Sequence, residues 1–383
     1  MKNILWIYNR PLNPEAGGTE RITSLIMKGL SDSGHLYLGM LVIDPKTSEM
    51  SYQDNPVHDL STFLKEKKVD VVINQDALSK NLLNVFLAKG GKEWHSQGGR
   101  LITCLHFDPK SPGLLHLFQS KRNKSIQDWI TILKLSLFGS YYRKKEDQKA
   151  GALYEWLYEK SDYFVILSQT HMPYLEKVMQ LPSYEKIKVI NNPLTFPDIS
   201  DESILAAKKN VLLVVARMDE YYKRISLVLK TWKSLLKSSL ADTWTLKLVG
   251  DGPSLNHYKK YVQQYELQRV EFCGQQNPEP YYREAKIYLM TSSAEGWGLT
   301  LTESLQRGVV PVAMDSSPVF HEIIQDGVDG YLTSDKDIRT FENKILSLMA
   351  DDALWHSLAQ NALRNASRFS MRNTIDKWEE LLS

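Results

Sequence analysis

The sequence predicts an α/β protein with two doubly wound halves. Strand-length apolar runs alternate with longer stretches of helical period, the series runs twice, and a cluster of structure-breaking residues separates the two runs. The first series is ILWIY at 4–8, LYLGMLVI at 36–43, DVVIN at 70–74, LITCLHF at 101–107, YFVIL at 163–167 and KVI at 188–190. Continuous apolar runs of this length, rather than alternating ones, fit parallel strands buried on both faces. The break lies near 192–208, where Asn191-Asn192-Pro193, Phe196-Pro197-Asp198 and Ser200-Asp201-Glu202 gather residues that end regular structure. The second series is VLLVVA at 211–216, LKLVG at 246–250, VEFCG at 270–274, KIYLM at 286–290 and VVPVAM at 309–314. The chain ends on MRNTIDKWEELLS at 371–383, which reads as a helix.

A length of 383 residues suits two domains of ~100–200 residues each. With 47 basic against 45 acidic residues, the net charge of +2 gives no reason to expect nucleic-acid binding over the whole surface. Cys104 and Cys273 lack the spacing of a disulfide framework or a zinc site and read as buried, reduced thiols. No apolar run approaches the ~20 residues that cross a bilayer, and MKNILWIYNR reads as a first strand rather than a signal peptide, so the expected location is the cytoplasm.

The segment AEGWGLTLTESLQRGVVPVAMDS at 294–316 carries the most chemistry. Gly296 and Gly298 allow close approach of backbone to a ligand, and the helix expected over 299–307 points its N–H groups at the same place, which suits an anion. Glu295 and Glu303 can each accept hydrogen bonds from sugar hydroxyls. Helix-dipole complementarity would account for Glu295 but leaves Glu303 and both glycines unexplained. Arg217 and Lys223 follow the first strand of the second series, at the carboxyl end where α/β sheets place ligand loops, and their charges suit a diphosphate. Gly250-Asp251-Gly252-Pro253 reads as a tight turn into a helix. In the first half, Glu15-Ala16-Gly17-Gly18-Thr19-Glu20 opens a helix after the first strand, and His106 ends a strand; on its own the Gly-Gly is equally good turn chemistry, and a lone histidine at a strand end is more often a packed core residue.

The E-x7-E of Glu295 and Glu303, the VGDGP run at 249–253, the Ala216-Arg217 and Lys223-Arg224 pairs and the Gly17-Gly18 turn together resemble glycosyltransferase family 4, over nearly the whole chain and in order. The resemblance implies the GT-B architecture, two Rossmann-like domains facing a cleft. These would be an acceptor-side domain at 1–195, a donor domain at 205–368, and a helix at 369–383 returning to the first. It implies a retaining, metal-independent transfer from a nucleotide-diphosphate sugar to a saccharide acceptor, with no cofactor. Glu303 would hold the donor ribose and Glu295 the transferred sugar. Arg217 and Lys223 would hold the diphosphate, and His106 would stand beside the sugar. The residues Gly296, Trp297, Gly298, Leu299 and Thr300 would line sugar and phosphate, Gly274 and Gln275 the base, and Gly17 and Gly18 the diphosphate. In that family the arginine and lysine stand one residue closer, which leaves Lys223 and Arg224 as rivals; Lys223 is favoured. The single Asp-x-Asp, Asp335 to Asp337, falls near the start of a C-terminal helix and reads as a cap, so no catalytic metal is expected. Rival readings are a GT-B nucleotide-sugar epimerase and a catalytically silent sugar-nucleotide-binding scaffold.

One stretch breaks the alternation. Residues 121–149 hold eight Lys or Arg against three acids around the apolar run WITILKLSLF at 129–138. A core helix beside a solvated charged helix is one reading. The other is a surface that rests on an anionic membrane, as would serve a lipid-linked acceptor at the inner face of a plasma membrane.

Overall fold

The structure is a computed structural model that describes residues 1–15, 17–110 and 125–383. It divides into two units: residues 1–110, 144–195 and 369–383 form the first, and 196–368 the second, with the described residues 125–143 grouped with the second.

The first unit is built on strands β1 (Asn3–Tyr8), β2 (Leu36–Ile43), β3 (Met50–Tyr52), β4 (Asn55–Pro56), β5 (Val71–Asn74), β6 (Arg100–Leu105), β7 (Tyr163–Ile166) and β8 (Ile187–Val189), in the order β4-β3-β2-β1-β5-β6-β7-β8. All pairs from β2 to β8 are parallel, and β1 lies between β2 and β5 with Ile7 opposite both Leu41 and Asn74. The apolar runs put Leu5, Ile7, Leu41, Val72, Leu101, Phe164 and Ile166 into one core. Helices α1 (Gly18–Asp32), α2 (Leu60–Glu66), α3 (Lys80–Phe86) and α4 (Lys92–Ser96) accompany β1 to β6, while α5 (Ile126–Leu137) and α6 (Gly139–Lys160) lie between β6 and β7 in the chain and α7 (Met172–Val178) follows β7. The antiparallel β3 and β4 edge strands were not expected, because runs of two and three polar-flanked residues carry no periodic signal.

The second unit carries β9 (Lys209–Val215), β10 (Thr245–Val249), β11 (Val270–Gly274), β12 (Ala285–Met290), β13 (Val310–Asp315) and β14 (Tyr331–Ser334), all parallel, in the order β11-β10-β9-β12-β13-β14. Its helices are α8 (Glu220–Lys223), α9 (Ile225–Leu235), α10 (Leu255–Gln264), α11 (Glu279–Glu284), α12 (Leu299–Gln306), α13 (Phe320–Ile323), α14 (Ile338–Ala350) and α15 (Asp352–Ala366). The strand β14 adds an edge the sequence reading lacked. Cys104 is buried as expected, but Cys273 is only half-buried, because β11 is itself an edge strand with one open flank.

The last helix, α16 (Met371–Leu382), lies in the first unit. Trp378 packs on Trp6 of β1 at 6.2 Å between rings, and Ile375 fills the space over Gly29 of α1, where a Cβ would stand 2.6 Å from its Cδ1. Glu379 meets His35 Nε2 at 2.7 Å, and Thr374 Oγ1 donates to the Asn191 carbonyl at 3.2 Å. No helix among the described residues is long and apolar enough to cross a membrane.

His171, just after β7, is buried, and neither ring nitrogen has a hydrogen-bond partner among the described residues. Burial pulls its pKa down to about 4 from 6.5. The unfolded chain therefore takes up this proton first as pH falls, so the stability this neutral ring allows is complete above about pH 6.5 and is lost toward pH 4. Burial raises the carboxyls of Asp76 and Asp329 and acts in the opposite sense, so the informative quantity is a difference between proteins. His171→Leu is expected to flatten the loss of urea-measured stability between pH 6.5 and 4 by up to about 3 kcal/mol. An unchanged slope would show that this ring is not held neutral.

Candidate active site

In an open parallel sheet, ligands bind beyond the carboxyl ends of the strands where the strand order reverses. In the second unit that point lies between β9 and β12. The segments leaving these two strands carry Arg217, Lys223, Glu295 and the N-terminus of α12.

The loop after β9 is shaped by close backbone packing. Met218 N–H donates to the Asp251 carbonyl at 2.8 Å, and Gly250 has φ 132° with no room for a Cβ, which would stand 2.0 Å from the Ala216 carbonyl oxygen. This explains the VGDG turn as structural. Asp219 then caps α8 by accepting from Tyr221 N–H at 3.0 Å, and the helix ends at Arg224 in the left-handed region, φ 48°. That turn sends the two cations in different directions. Arg224 is buried; its Nε donates to the Thr291 carbonyl at 2.6 Å, and its Nη2 to the Ser292 carbonyl at 2.8 Å and Asp335 Oδ1 at 2.6 Å. Thr291 Oγ1 returns a hydrogen bond to the Lys223 carbonyl at 2.9 Å, and Ser293 N–H donates to the Tyr222 carbonyl at 2.7 Å. The segment after β12 is thus laced to α8, and Lys223 Nζ comes to 2.5 Å from Glu295 Oε1. Arg217 remains exposed at the end of β9. Asp335 is committed to Arg224, while Asp337 caps α14 by accepting from Thr340 N–H at 3.1 Å, so the Asp-x-Asp is a staple and a cap.

Gly298 starts α12 from the left-handed region, φ 94°, and its carbonyl accepts from Leu301 N–H at 2.9 Å. The amides of Leu299 and Thr300, ahead of that bond, have no intrahelical acceptor. Tyr288 of β12 donates its hydroxyl to Thr300 Oγ1 at 2.7 Å. Burial raises the Tyr288 pKa, and the fields of Glu295 and Glu303 raise it further. Glu303 is fully buried in the second turn. The far end of α12 is pinned by buried Arg307, whose guanidinium meets the Asp198 carbonyl at 2.6 Å and Glu279 Oε1 at 2.8 Å. A cavity of about 10 Å³ under Lys223, lined by Ala216, Tyr288, Thr291 and Thr300, forms the floor. Gly296 and Leu299 are half-buried at this turn, and Trp297 is buried. Gly274 lies at the end of β11 with φ 71° and Gln275 is exposed beside it, on the other flank of β10.

In the first unit the strand order reverses between β1 and β5. There Asn9 Nδ2 donates to Asp76 Oδ2 at 2.6 Å, and Arg10 Nη2 meets Glu20 Oε1 at 2.5 Å and the Tyr8 hydroxyl at 3.0 Å. Glu20 is buried, and burial raises the carboxyl of Asp76. Gly17 is extended, φ 174°, so its backbone needs no glycine; an added Cβ would press on Glu20 Oε2 at 3.0 Å. Gly18 is the first residue of α1. His106 Nε2 bonds to the Gln75 amide oxygen, and burial brings the ring's pKa down to about 4, so it is neutral at pH 7 and its Nδ1 carries the lone pair. Sequence reasoning missed Asn9, Arg10, Gln75 and Asp76. Their signal was position: each stands in the first two places after an expected strand.

Residues 195–365 match the family model described as glycosyl transferases group 1. The amylovoran biosynthesis glycosyltransferase AmsD of Erwinia amylovora is 24% identical over 368 residues, covering 94% of this chain and 99% of that protein. The GalNAc-alpha-(1->4)-GalNAc-alpha-(1->3)-diNAcBac-PP-undecaprenol alpha-1,4-N-acetyl-D-galactosaminyltransferase of Campylobacter jejuni is 24% identical over 227 residues, 59% of this chain and 61% of that one. Other curated relatives are matched over as little as 15% of their own length. The crystal structure of Anabaena Alr3699/HepE in complex with UDP-glucose superimposes with a TM-score of 0.71 at 17% identity, over 100% of this chain and 99% of that one.

The structure separates the two neighbouring cations. Arg224→Ala leaves two buried carbonyls without their donor and is expected to cost about 2–4 kcal/mol in urea unfolding. Lys223→Ala should cost less, within about 1–2 kcal/mol of wild type, since Lys223 makes one ion pair and keeps a quarter of its side chain in water, whereas Arg224 is buried. Equal losses would mean that both are structural. The chain thus has the GT-B architecture of the solved structures it superimposes on, and its residues 195–365 match the glycosyl transferases group 1 model.

Proposed function

We propose that the chain transfers a sugar from a nucleoside-diphosphate sugar to a lipid-linked saccharide, with retention of anomeric configuration and without a metal ion. The observation that carries this reading is the convergence of Arg217, Lys223, Glu295 and the start of α12 at the switch point between β9 and β12. A diphosphate there would meet two cations and the positive end of a helix, which together perform the charge neutralisation that a magnesium ion performs elsewhere. It would also compete with Glu295 for Lys223, releasing the glutamate to accept hydrogen bonds from the sugar. The buried Glu303 takes the ribose hydroxyls, Gly274 and Gln275 the base, and the Gly296 to Thr300 turn the sugar and phosphate.

As the bond from the anomeric carbon to the diphosphate oxygen breaks, that oxygen takes the proton of the acceptor hydroxyl. The new glycosidic bond then forms on the same face, and nucleoside diphosphate departs. No enzyme nucleophile is needed; Arg217, Lys223 and the helix amides stabilise the growing phosphate charge. In the first unit, His106, its Nε2 held by Gln75 at the end of β6, is the residue assigned to stand beside the sugar. The Campylobacter relative, named for a polyprenyl-diphosphate-linked acceptor, supports a lipid-linked saccharide, and the basic 121–149 segment supports work at the inner face of a membrane; residues 121–124 lie outside the described ones.

By calorimetry with UDP and uridine as probes, Glu303→Ala should weaken both by about 1.5–3 kcal/mol. Arg217→Ala with Lys223→Ala should weaken UDP alone. Wild-type affinity in Glu303→Ala would refute the ribose assignment, and equal loss of uridine and UDP in the double variant would refute the diphosphate assignment. Transfer activity should survive EDTA; its loss, with recovery on adding magnesium or manganese, would refute the metal-free mechanism.

A further inference from the structure

Helix α5 is turned inside out. At ~100° per residue, Ile126, Trp129, Ile130, Leu133 and Leu137 fall within about 100° of one another on a single face. That face is exposed: Ile126 is 81%, Leu133 60% and Leu137 69% accessible, whereas Leu135, on the opposite side, is 4%. Phe138 and Tyr141 continue the exposed apolar surface beyond the helix end. A core helix would present the reverse arrangement, so the first of the two sequence readings of this stretch is corrected here.

The surrounding charge selects the occupant. Of the three acids in 121–149, Asp128 is spent in a capping box with Ser125, and Asp147 is buried against Lys177 at 2.8 Å and the Tyr174 hydroxyl at 2.9 Å. Lys134, Lys144 and Lys149 are exposed. The stretch therefore offers water a large apolar face bordered by lysines, with two of its three acids turned to structural tasks. A protein partner with an apolar patch would satisfy the stripe, but it would leave these lysines unmatched; an anionic lipid surface satisfies both.

We propose that α5 is an interfacial anchor, lying in the plane of an anionic bilayer with the Ile126–Leu137 stripe sunk among the acyl chains and the lysines at the phosphates. The anchoring is apolar first and electrostatic second. It extends the lipid-linked-acceptor reading, taking from it only the place where acceptor is found, and the test below reads α5 whatever the chain transfers.

The test is sedimentation with phosphatidylglycerol and with phosphatidylcholine vesicles, at low and high salt, for wild type, Leu133→Asp with Leu137→Asp, and Lys144→Glu with Lys149→Glu. Wild type should pellet with phosphatidylglycerol and retain part of that binding when the Debye length falls from about 10 Å at 0.1 M to about 3 Å at 1 M salt. The leucine variant should bind at least about tenfold more weakly at both salts, and the lysine variant more weakly only at low salt. Brominated lipids should quench wild-type fluorescence more than that of Trp129→Phe. Both leucines are exposed, so an unchanged thermal melt verifies the fold; should the aspartates disturb it, Leu133→Ser with Leu137→Ser serves instead. Three results would each overturn the proposal. One is no binding by wild type. Another is leucine variants that bind as wild type does. The third is a wild-type dimer in light scattering that the leucine variants dissolve, which would assign the stripe to a second copy of the chain.

Discussion

The arrangement of the second unit depends on one buried guanidinium. Arg224 joins the end of α8 to the carbonyls of Thr291 and Ser292 beyond β12 and to Asp335 beyond β14, tying three strand ends of one sheet together. A charge so placed is costly unless every donor is matched, and here the carbonyls and carboxylate match it. This tie acts with the hydrogen bonds from Thr291 and Ser293 to the Lys223 and Tyr222 carbonyls in joining the loop after β9 to the loop after β12. With it, Lys223 and Glu295 are held within 2.5 Å of one another, and the backbone at Arg224 accepts a left-handed φ to achieve this. The residue with no part in the proposed chemistry is therefore the one that assembles it.

Both units use the same topological device. In each, the chain winds outward from a central strand, returns to that strand's other side and winds outward again, leaving a gap at the carboxyl ends where the order reverses. What fills the gaps differs. The second unit places cations, a buried glutamate and a helix N-terminus there, a set suited to phosphate and hydroxyls. The first places paired side chains, Asn9 with Asp76 and Arg10 with Glu20, and a neutral histidine, a set rich in hydrogen-bonding groups.

Much of this was legible in the sequence because it rests on local signals. Buried parallel strands read as unbroken apolar runs, so the interior strands of both sheets lie within a residue or two of where the runs are. The start of α12 was legible because glycines at 296 and 298 mark a turn that only a tight approach requires. Three short strands, β3, β4 and β14, were not legible, because their pairing is fixed by neighbours rather than by pattern, whereas the edge strands β8 and β11 carried apolar runs that were. Adjacent Lys223 and Arg224 are chemically alike in sequence, and only the left-handed turn between α8 and α9 sends one to the site and the other to the interior. The exposed face of α5 was hidden for a related reason. Periodicity reveals that a helix has an apolar stripe but not whether protein covers it.

The central claim is that the gap between β9 and β12 holds a nucleoside diphosphate, and a crystal structure of the chain grown with saturating UDP tests it most directly. The account places the diphosphate against Arg217, Lys223 and the amides that open α12, the ribose hydroxyls on Glu303, and Glu295 drawn away from Lys223. A nucleotide bound elsewhere, or no nucleotide density at saturation with the Lys223–Glu295 pair intact, would contradict it.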